Sequence, residues 1–391
     1  MIPLMKFAFP KEYETRKALA EFILKTERLS MDVQCAEFEK AFALRQKRKH
    51  AILLNSGGSA NLAMLQALKN QGVLKAGDKV GFSALTWSTN TMPIIQHGMD
   101  PIPVDCDVST LNVMSHNLLE TLKTQDLKAF FITNALGFTG DLDKILDICD
   151  SRKIILLEDN CESLGTELHG GMAGNFSFAS SFSFYVAHHM STIEGGMICT
   201  DDDDYAEMLK IVRANGWDRN LKPLEQVKWR KKYNIKSEFE SKYTFYELAF
   251  NLRPTEITGF LGLFQLQFLE DTIRAREKNY FRVLETMSQN PDLLTLKHDH
   301  IKRLSAFAIP VLCASTELRN KYANQFLEAG IEIRPMIAGN IQLQPFFKKY
   351  GTDDHALPGA DFLHHNSFYC GNYAELTPKD IELISACLLK Y

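Results

Sequence analysis

Two kinds of hydrophobic pattern alternate along the first two hundred residues. Short, nearly continuous apolar runs recur at "HAILLNS" (50–56), "KVGFSAL" (79–85), "DPIPVDC" (100–106), "LKAFFITNAL" (127–136), "KIILLED" (153–159), "FASSFSF" (178–184) and "GMICTD" (196–201). Runs that are apolar at consecutive positions suit strands covered on both faces. Between several of them, as in "SANLAMLQALKNQ" and "DLDKILDICDSRK", apolar residues return every three or four positions, the spacing of one helix face. Strand–helix alternation of this kind predicts an α/β fold on a mostly parallel sheet of about seven strands.

The pattern changes after residue 217. Residues 218–246 are polar and charged and predict a long surface loop, with a flap over a pocket as the alternative. A long helical pattern over 255–289 follows "NLRPTEI". The segments "LSAFAIPVLC", "FLEAGIEIRPMI" and "DIELISACLLKY" then predict a smaller α+β unit. The expected division is a large α/β domain over 1–250, with a linking helix and small C-terminal domain over 251–391.

Composition adds exclusions. The chain has 391 residues, 45% apolar and 24% charged, enough to bury a sizeable core. A net charge of −4 gives no reason to expect nucleic acid or a membrane surface as partner, so an anionic substrate must meet a local basic cluster. No run approaches the ~20 apolar residues of a membrane span. The opening "MIPLMKFAFPKEYETRKALAEF" lacks the apolar core of a signal peptide, and a cytoplasmic location is expected. The eight cysteines, at 35, 106, 149, 161, 199, 313, 370 and 387, show no CxxC or disulfide spacing. They read as reduced thiols, and no metal site is expected.

Four places carry candidate chemistry. In "LLNSGGSANLAM" a strand runs into Gly57, Gly58 and Ser59, where a helix is expected to begin at Ser59. N–H groups exposed there form either an anion cradle or an ordinary serine-capped turn. Asp159, in "LLEDNCES", ends an apolar strand, and open α/β sheets bind ligands at that edge. A helix cap or loop ion pair would account for it as well. Trp87, in "SALTWSTN", either stacks on a planar ligand or fills the core. Finally "SFSFYVAHHMSTIEGG" places Ser183 five residues before His188.

Together these segments, in order, resemble the DegT/StrS-type family of pyridoxal 5′-phosphate (PLP) enzymes that act on nucleotide-linked keto sugars. The resemblance extends to "NLRPTEITGFLGLFQL" and "GIEIRP" and covers nearly the whole chain. It implies an aspartate-aminotransferase-like fold and a homodimer with its active sites at the interface. Gly57, Gly58, Ser59 and a partner's Asn251 would bind the cofactor phosphate, and Ser183 would also contact the cofactor. Trp87 would stack on its ring, Asp159 would face its pyridine nitrogen, and Glu162 would belong to the same site. Arg219, Arg253 and Arg334 are the candidate substrate residues.

Most members carry a lysine six residues before the Glu of "EGG"; here that position is His188, and no lysine lies between Lys153 and Lys210. This substitution resembles a branch of the family, the sugar 3-dehydratases. Histidine cannot hold the cofactor aldehyde covalently, but it moves protons near neutral pH. The branch implies that glutamate converts PLP to pyridoxamine 5′-phosphate (PMP), releasing 2-oxoglutarate. The PMP amine then condenses with a 4-keto-6-deoxy sugar, GDP-4-keto-6-deoxy-D-mannose in the first place. With His188 as the base, the C3 hydroxyl leaves, giving a 4-keto-3,6-dideoxy sugar and ammonia.

A second group of 3-dehydratases adds an iron–sulfur cluster through closely spaced cysteines. No cysteine lies between Cys199 and Cys313, so no cluster is expected. There is one departure: the branch has a histidine where this chain has Asn215, in "RANGW", and if that position touches the sugar a variant GDP-linked 4-keto sugar is expected. Two rivals remain, a plain sugar aminotransferase and a silent binding protein on the same fold. The missing lysine speaks against the first, and intact Asp159, Ser183 and glycine turn speak against the second. His189 is expected to pack or hydrogen-bond.

Overall fold

The computed structural model describes residues 1–352 and 354–390. All seven apolar runs form strands: β1 (His50–Leu54), β2 (Lys79–Ser83), β3 (Asp100–Val104), β4 (Ala129–Thr133), β5 (Ile155–Asp159), β8 (Ala179–Ser183) and β9 (Gly196–Thr200). The short β6 (Glu167–Leu168) and β7 (Gly171–Met172) lie between β5 and β8. The seven join in the order β1-β9-β8-β5-β4-β2-β3. Only β9 is antiparallel to its neighbours; every other pairing in this sheet is parallel. Each strand is shorter than its apolar run, which extends beyond the strand at one end or both.

Burial on both faces explains the unbroken apolar runs. Ala129 and Phe131 of β4 pack with Val80, Phe82 and Leu157 on one side. Phe130 and Ile132 pack with Ile102, Val104 and Leu156 on the other. A strand whose alternate residues enter two cores cannot show polar alternation.

β10 (Leu293–Leu294), β12 (Ala308–Cys313), β13 (Ile333–Pro335) and β14 (Ser367–Gly371) form a second sheet in the order β10-β12-β14-β13. β11 (Ile301–Arg303) instead pairs with β6. The chain start joins this second unit: Ile2 bridges Ile331, and the Leu4 N–H donates to Glu332 at 2.9 Å.

Two expectations are corrected. Residues 218–246 are not one loop, since they contain the helices Pro223–Lys232 and Glu238–Ser241. Pro223 opens the first of these, the Glu225 side chain caps the Lys222 N–H at 2.8 Å, and Trp229 is buried against Glu207. A cap and a single anchoring aromatic hold this helix despite its charge. The helical pattern over 255–289 is two helices, Glu256–Leu266 and Leu269–Met287. Thr255 caps the first, its hydroxyl accepting from the Thr258 N–H at 3.2 Å. Among the described residues no helix is long and apolar enough to cross a membrane.

Gly196 marks where β9 meets the turn after β1. A Cβ there would stand 2.2 Å from the Ser56 carbonyl oxygen and 2.6 Å from the Gly57 nitrogen, both main-chain atoms that cannot rotate away. Gly196→Ala is therefore expected to destabilise the protein by about 1–3 kcal/mol, the usual cost of overpacking. Urea unfolding measures it, and an unchanged midpoint would show that the Ser56–Gly57 turn is free to move.

Candidate active site

A pocket of about 400 Å³ opens at the carboxyl ends of β2, β4, β5 and β8, lined by Gly57, Gly58, Trp87, Asp159, Glu162, Ser183 and His188 among others. This is the edge where parallel sheets leave loop residues free to converge. A more open cleft of about 610 Å³, next to Trp229 and Lys228, includes none of these residues.

The helix after β1 begins at Gly57, not Ser59, and its cap is Ser56, whose hydroxyl oxygen accepts from the Ser59 N–H at 3.0 Å. Gly57 and Gly58 line the pocket, and as first-turn residues of the helix their N–H groups have no intrahelical partners. Gly57 also lets the helix approach β8, since a Cβ on it would lie 2.7 Å from the Ser183 Cβ. Ser59 turns its hydroxyl to Ser56 at 2.9 Å and is not among the lining residues.

Asp159 is buried at the end of β5, and its hydrogen bonds orient it. Asn61 and Asn90 donate to Oδ2 at 2.8 and 2.7 Å, and the Cys161 N–H donates to Oδ1 at 2.8 Å. Ser181 donates to Asn61 Oδ1 at 2.6 Å, which fixes that amide with its NH₂ toward Asp159. All these partners are neutral, so the carboxylate has hydrogen bonds but no counter-charge among them. Asn61 and Asn90 escaped the sequence reading; "SGGSAN" and "TWSTN" place them, but only the fold brings both to one acid.

Glu162 follows the same turn, its Oε2 accepting from the Leu136 N–H at 2.9 Å. Burial pushes its carboxyl up to about 8, opposed by that N–H and aided by the Asp159 charge. Trp87 is 56% exposed at the start of the next helix, so it does not fill the core.

His188 closes the pocket opposite Asp159. Its Nδ1 lies 2.6 Å from the Cys161 carbonyl oxygen, which can only accept. Nδ1 therefore carries the hydrogen, and the neutral ring presents an unprotonated Nε2. Burial, with the Arg276 charge behind it, pushes the imidazole down to about 4, against the Cys161 bond and Asp159. His189 faces away: it is fully buried, and Nε2 meets the Ser305 carbonyl oxygen at 3.0 Å.

Besides Ser59, four expected site residues lie outside the pocket lining. Asn251 is exposed and caps no helix; its Oδ1 accepts from Arg253 Nε at 3.2 Å. Arg253 and Arg219 are exposed near Trp217, their guanidinium carbons 5.8 and 4.1 Å from its ring centre. Arg334, also exposed, pairs with Glu332 and lies in register with the pocket residue Tyr369. Asn215 is outside the lining too: it adopts φ 57°, which asparagine tolerates, and its N–H donates to the Phe250 carbonyl at 2.7 Å. Among the described residues no group of three or more His, Cys, Asp or Glu is placed to hold a metal.

A sheet of this order, with one reversed strand and an acid at the end of β5, makes the protein a fold type I aminotransferase-like α/β protein. The chain belongs to the DegT/DnrJ/EryC1/StrS aminotransferase family, whose model matches residues 10–389. It is 34% identical over 357 residues to GDP-4-keto-6-deoxy-D-mannose 3-dehydratase of Escherichia coli O55:H7, covering 90% of each chain. It superposes with a TM-score of 0.90 on a GDP-4-keto-6-deoxymannose 3-dehydratase holding a trapped PLP–glutamate geminal diamine (32% identity, 99% of this chain, 100% of that one). The same score, at 31% identity and the same coverage, relates it to a histidine-to-asparagine variant of that enzyme with bound GDP-perosamine.

The raised Glu162 carboxyl has a consequence for stability. The folded state holds that proton from the ordinary carboxylate range up to about pH 8, where the unfolded chain has released it. Its contribution is therefore present at low pH and lost as pH rises through 8. Between pH 6 and 9 the urea midpoint of the parent is expected to fall by more than that of Glu162→Gln, which has no proton to lose. Equal falls would show Glu162 ionised at neutral pH.

Proposed function

We propose that the protein is a PLP/PMP-dependent 3-dehydratase that removes the C3 hydroxyl of a nucleotide-linked 4-keto-6-deoxy sugar, GDP-4-keto-6-deoxy-D-mannose first among candidates. Glutamate would be the amine source, and the products would be the 4-keto-3,6-dideoxy sugar, 2-oxoglutarate and ammonia. The observation that carries this reading is His188: a histidine with a free Nε2 faces the pocket, and no lysine is among its lining residues.

The residues present fit the cofactor. The Gly57 and Gly58 N–H groups, with Ser183 beside them, suit a phosphate. Asp159, oriented but without a counter-charge, suits a pyridinium, and the exposed Trp87 suits a flat ring. When bound, the cofactor would supply an amine for the sugar ketone and an electron sink for loss of the hydroxyl. His188 accepts and returns the proton at Nε2. Glu162, holding its proton at neutral pH, donates a hydrogen bond without adding a second negative charge beside Asp159. With no amine in the wall, nothing competes with the sugar for the cofactor, which favours dehydration over transamination.

We further propose a cytoplasmic homodimer, with the division into units at about residue 250 and with Asn251 reaching the partner's phosphate site. The exposed Asn251, Arg253 and Arg219, gathered about the half-buried Trp217, form one surface cluster suited to being covered by a second copy that brings its nucleotide sugar. A monomer with full activity, seen by sedimentation at assay concentration, would defeat this arrangement.

Incubation with PLP, glutamate and a panel of nucleotide-linked 4-keto-6-deoxy sugars tests the reaction. Release of ammonia with a deoxygenated sugar is expected; an amino sugar as sole product would replace the proposal by a transaminase. His188→Lys is expected to lose dehydration and to gain a covalent cofactor adduct, read by intact mass after borohydride reduction. The parent should give none. An adduct on the parent, or none on the variant, would show that position 188 does not face the cofactor aldehyde.

A further inference from the structure

Arg276 has no role in the proposed reaction, yet its charge acts on the pocket's base, His188. It comes from the Leu269–Met287 helix and is 3% exposed. Every hydrogen bond it makes goes to a main-chain carbonyl and none to a carboxylate: Nη2 donates to His188 at 3.0 Å and to Ala187 at 3.4 Å, and Nη1 donates to Phe307 at 2.9 Å. Its guanidinium carbon also lies 5.8 Å from the Phe307 ring centre, and that ring packs 5.1 Å from the His188 ring. One buried side chain thus grips both segments that form this wall, 187–188 and 307. A surface arginine would do neither; the acid whose charge acts on this one, Glu375, opposes the effect of burial but makes no hydrogen bond to it among the described residues.

We propose that Arg276 is a positioning residue for His188: it anchors the histidine's backbone against Phe307 and supplies a fixed positive charge behind the imidazole. This rests on the reading of His188 as the base. The function follows from geometry. A base anchored only through Cys161 can swing about that bond; with its own carbonyl clamped, Nε2 has a fixed aim. A positive charge on the side away from the pocket favours the neutral ring, the form able to accept a proton.

The other titratable and charged groups around the pocket and the ring are Asp159, Cys161 and Glu162 on the β5 side, Tyr185, His189 and Glu194 on its own segment, and Tyr369. Of these, Asp159 favours the protonated ring, so Arg276 and Asp159 act in opposite senses. Arg276 is itself lowered to about 10 by burial and keeps its charge throughout the working range.

The test reads His188 directly, without turnover. Full-length protein with ¹³C-labelled histidine is titrated by NMR, and the His188 Cε1–H signal is assigned by its loss in His188→Gln. In the parent the ring is expected to stay neutral through pH 6, as the Nδ1–H tautomer. In Arg276→Gln, which keeps one carbonyl partner but no charge, the midpoint should rise by ~1 pH unit or more. In Arg276→Lys, which keeps the charge and loses the fork, it should stay close to the parent's. A folded Arg276→Gln that titrates like the parent overturns the proposal, as does an Arg276→Lys midpoint raised as far as that of a neutral substitution. If Arg276→Gln does not fold, the Arg276→Lys arm decides alone. Where dehydration is measured, the acid limb of kcat should follow these midpoints while KM for the sugar changes little. A parent that titrates as expected but dehydrates no sugar would refute the proposed reaction and leave the role of Arg276 standing.

Discussion

The main chain of Cys161 ties the two halves of the site together. Its N–H donates to Asp159 Oδ1 at 2.8 Å, and its carbonyl accepts from His188 Nδ1 at 2.6 Å. Any displacement of the turn after β5 therefore moves the acid and the base together. The turn is itself fixed from below, where β5 pairs with β4 and β8 in parallel and Asp159 lies in register with Thr133 and Ser181. The side-chain network around Asp159 belongs to the same frame: Asn61 comes from the helix after β1, Asn90 from the helix after β2, and Ser181 from β8. Preorganisation of Asp159 is thus a property of strand and helix ends.

This dependence also sorts what the sequence could and could not reveal. The seven strands were legible because burial on both faces leaves continuous apolar runs, and Asp159 was legible because it ends one of them. Their ends were less so: β4 stops at Thr133 although the apolar run continues to Leu136, which enters a tight turn at φ 55°. The start of the first pocket helix was misplaced by two residues, since Ser56 and Ser59 both look like caps and only the hydrogen bond from the Ser59 N–H decides between them. The helix Pro223–Lys232 was hidden by its charge, because one buried Trp229 is too little apolar signal to set a period. Arg276 left no local trace whatever. Its partners sit at 187, 188 and 307, and in sequence it is one more arginine in a charged helix.

Asn251, Arg219, Arg253 and Arg334 show a different limit. Their motifs gave them roles, but within one chain they stand on the surface, outside the pocket. Geometry within a chain reports only what that chain completes by itself. Residues that act on a second copy, or on the distal part of a large substrate, keep their solvent exposure and have few contacts. The cluster about Trp217 has that form: two arginines lie near one ring, and among the described residues neither is paired with an acid.

The electrostatics of the pocket give the replacement of lysine by histidine its physical sense. Burial acts on Glu162 and His188 in opposite directions on the pH scale, raising one to about 8 and lowering the other to about 4, and so leaves both neutral over the range between. One neutral group holds a proton it can lend to a hydrogen bond; the other lacks one and can accept it. That separation is how two titratable groups in one cavity take distinct acid and base roles. A lysine at position 188 would meet the same burial and the same Arg276 charge, both of which disfavour its ammonium form. A neutral amine is the form that attacks a cofactor aldehyde, so this wall would suit a covalent lysine as well as it suits a proton-moving histidine. The surroundings are common to both chemistries. The difference lies in the side chain alone, because an imidazole held at Nδ1 offers a basic nitrogen at Nε2 and no primary amine to capture the aldehyde.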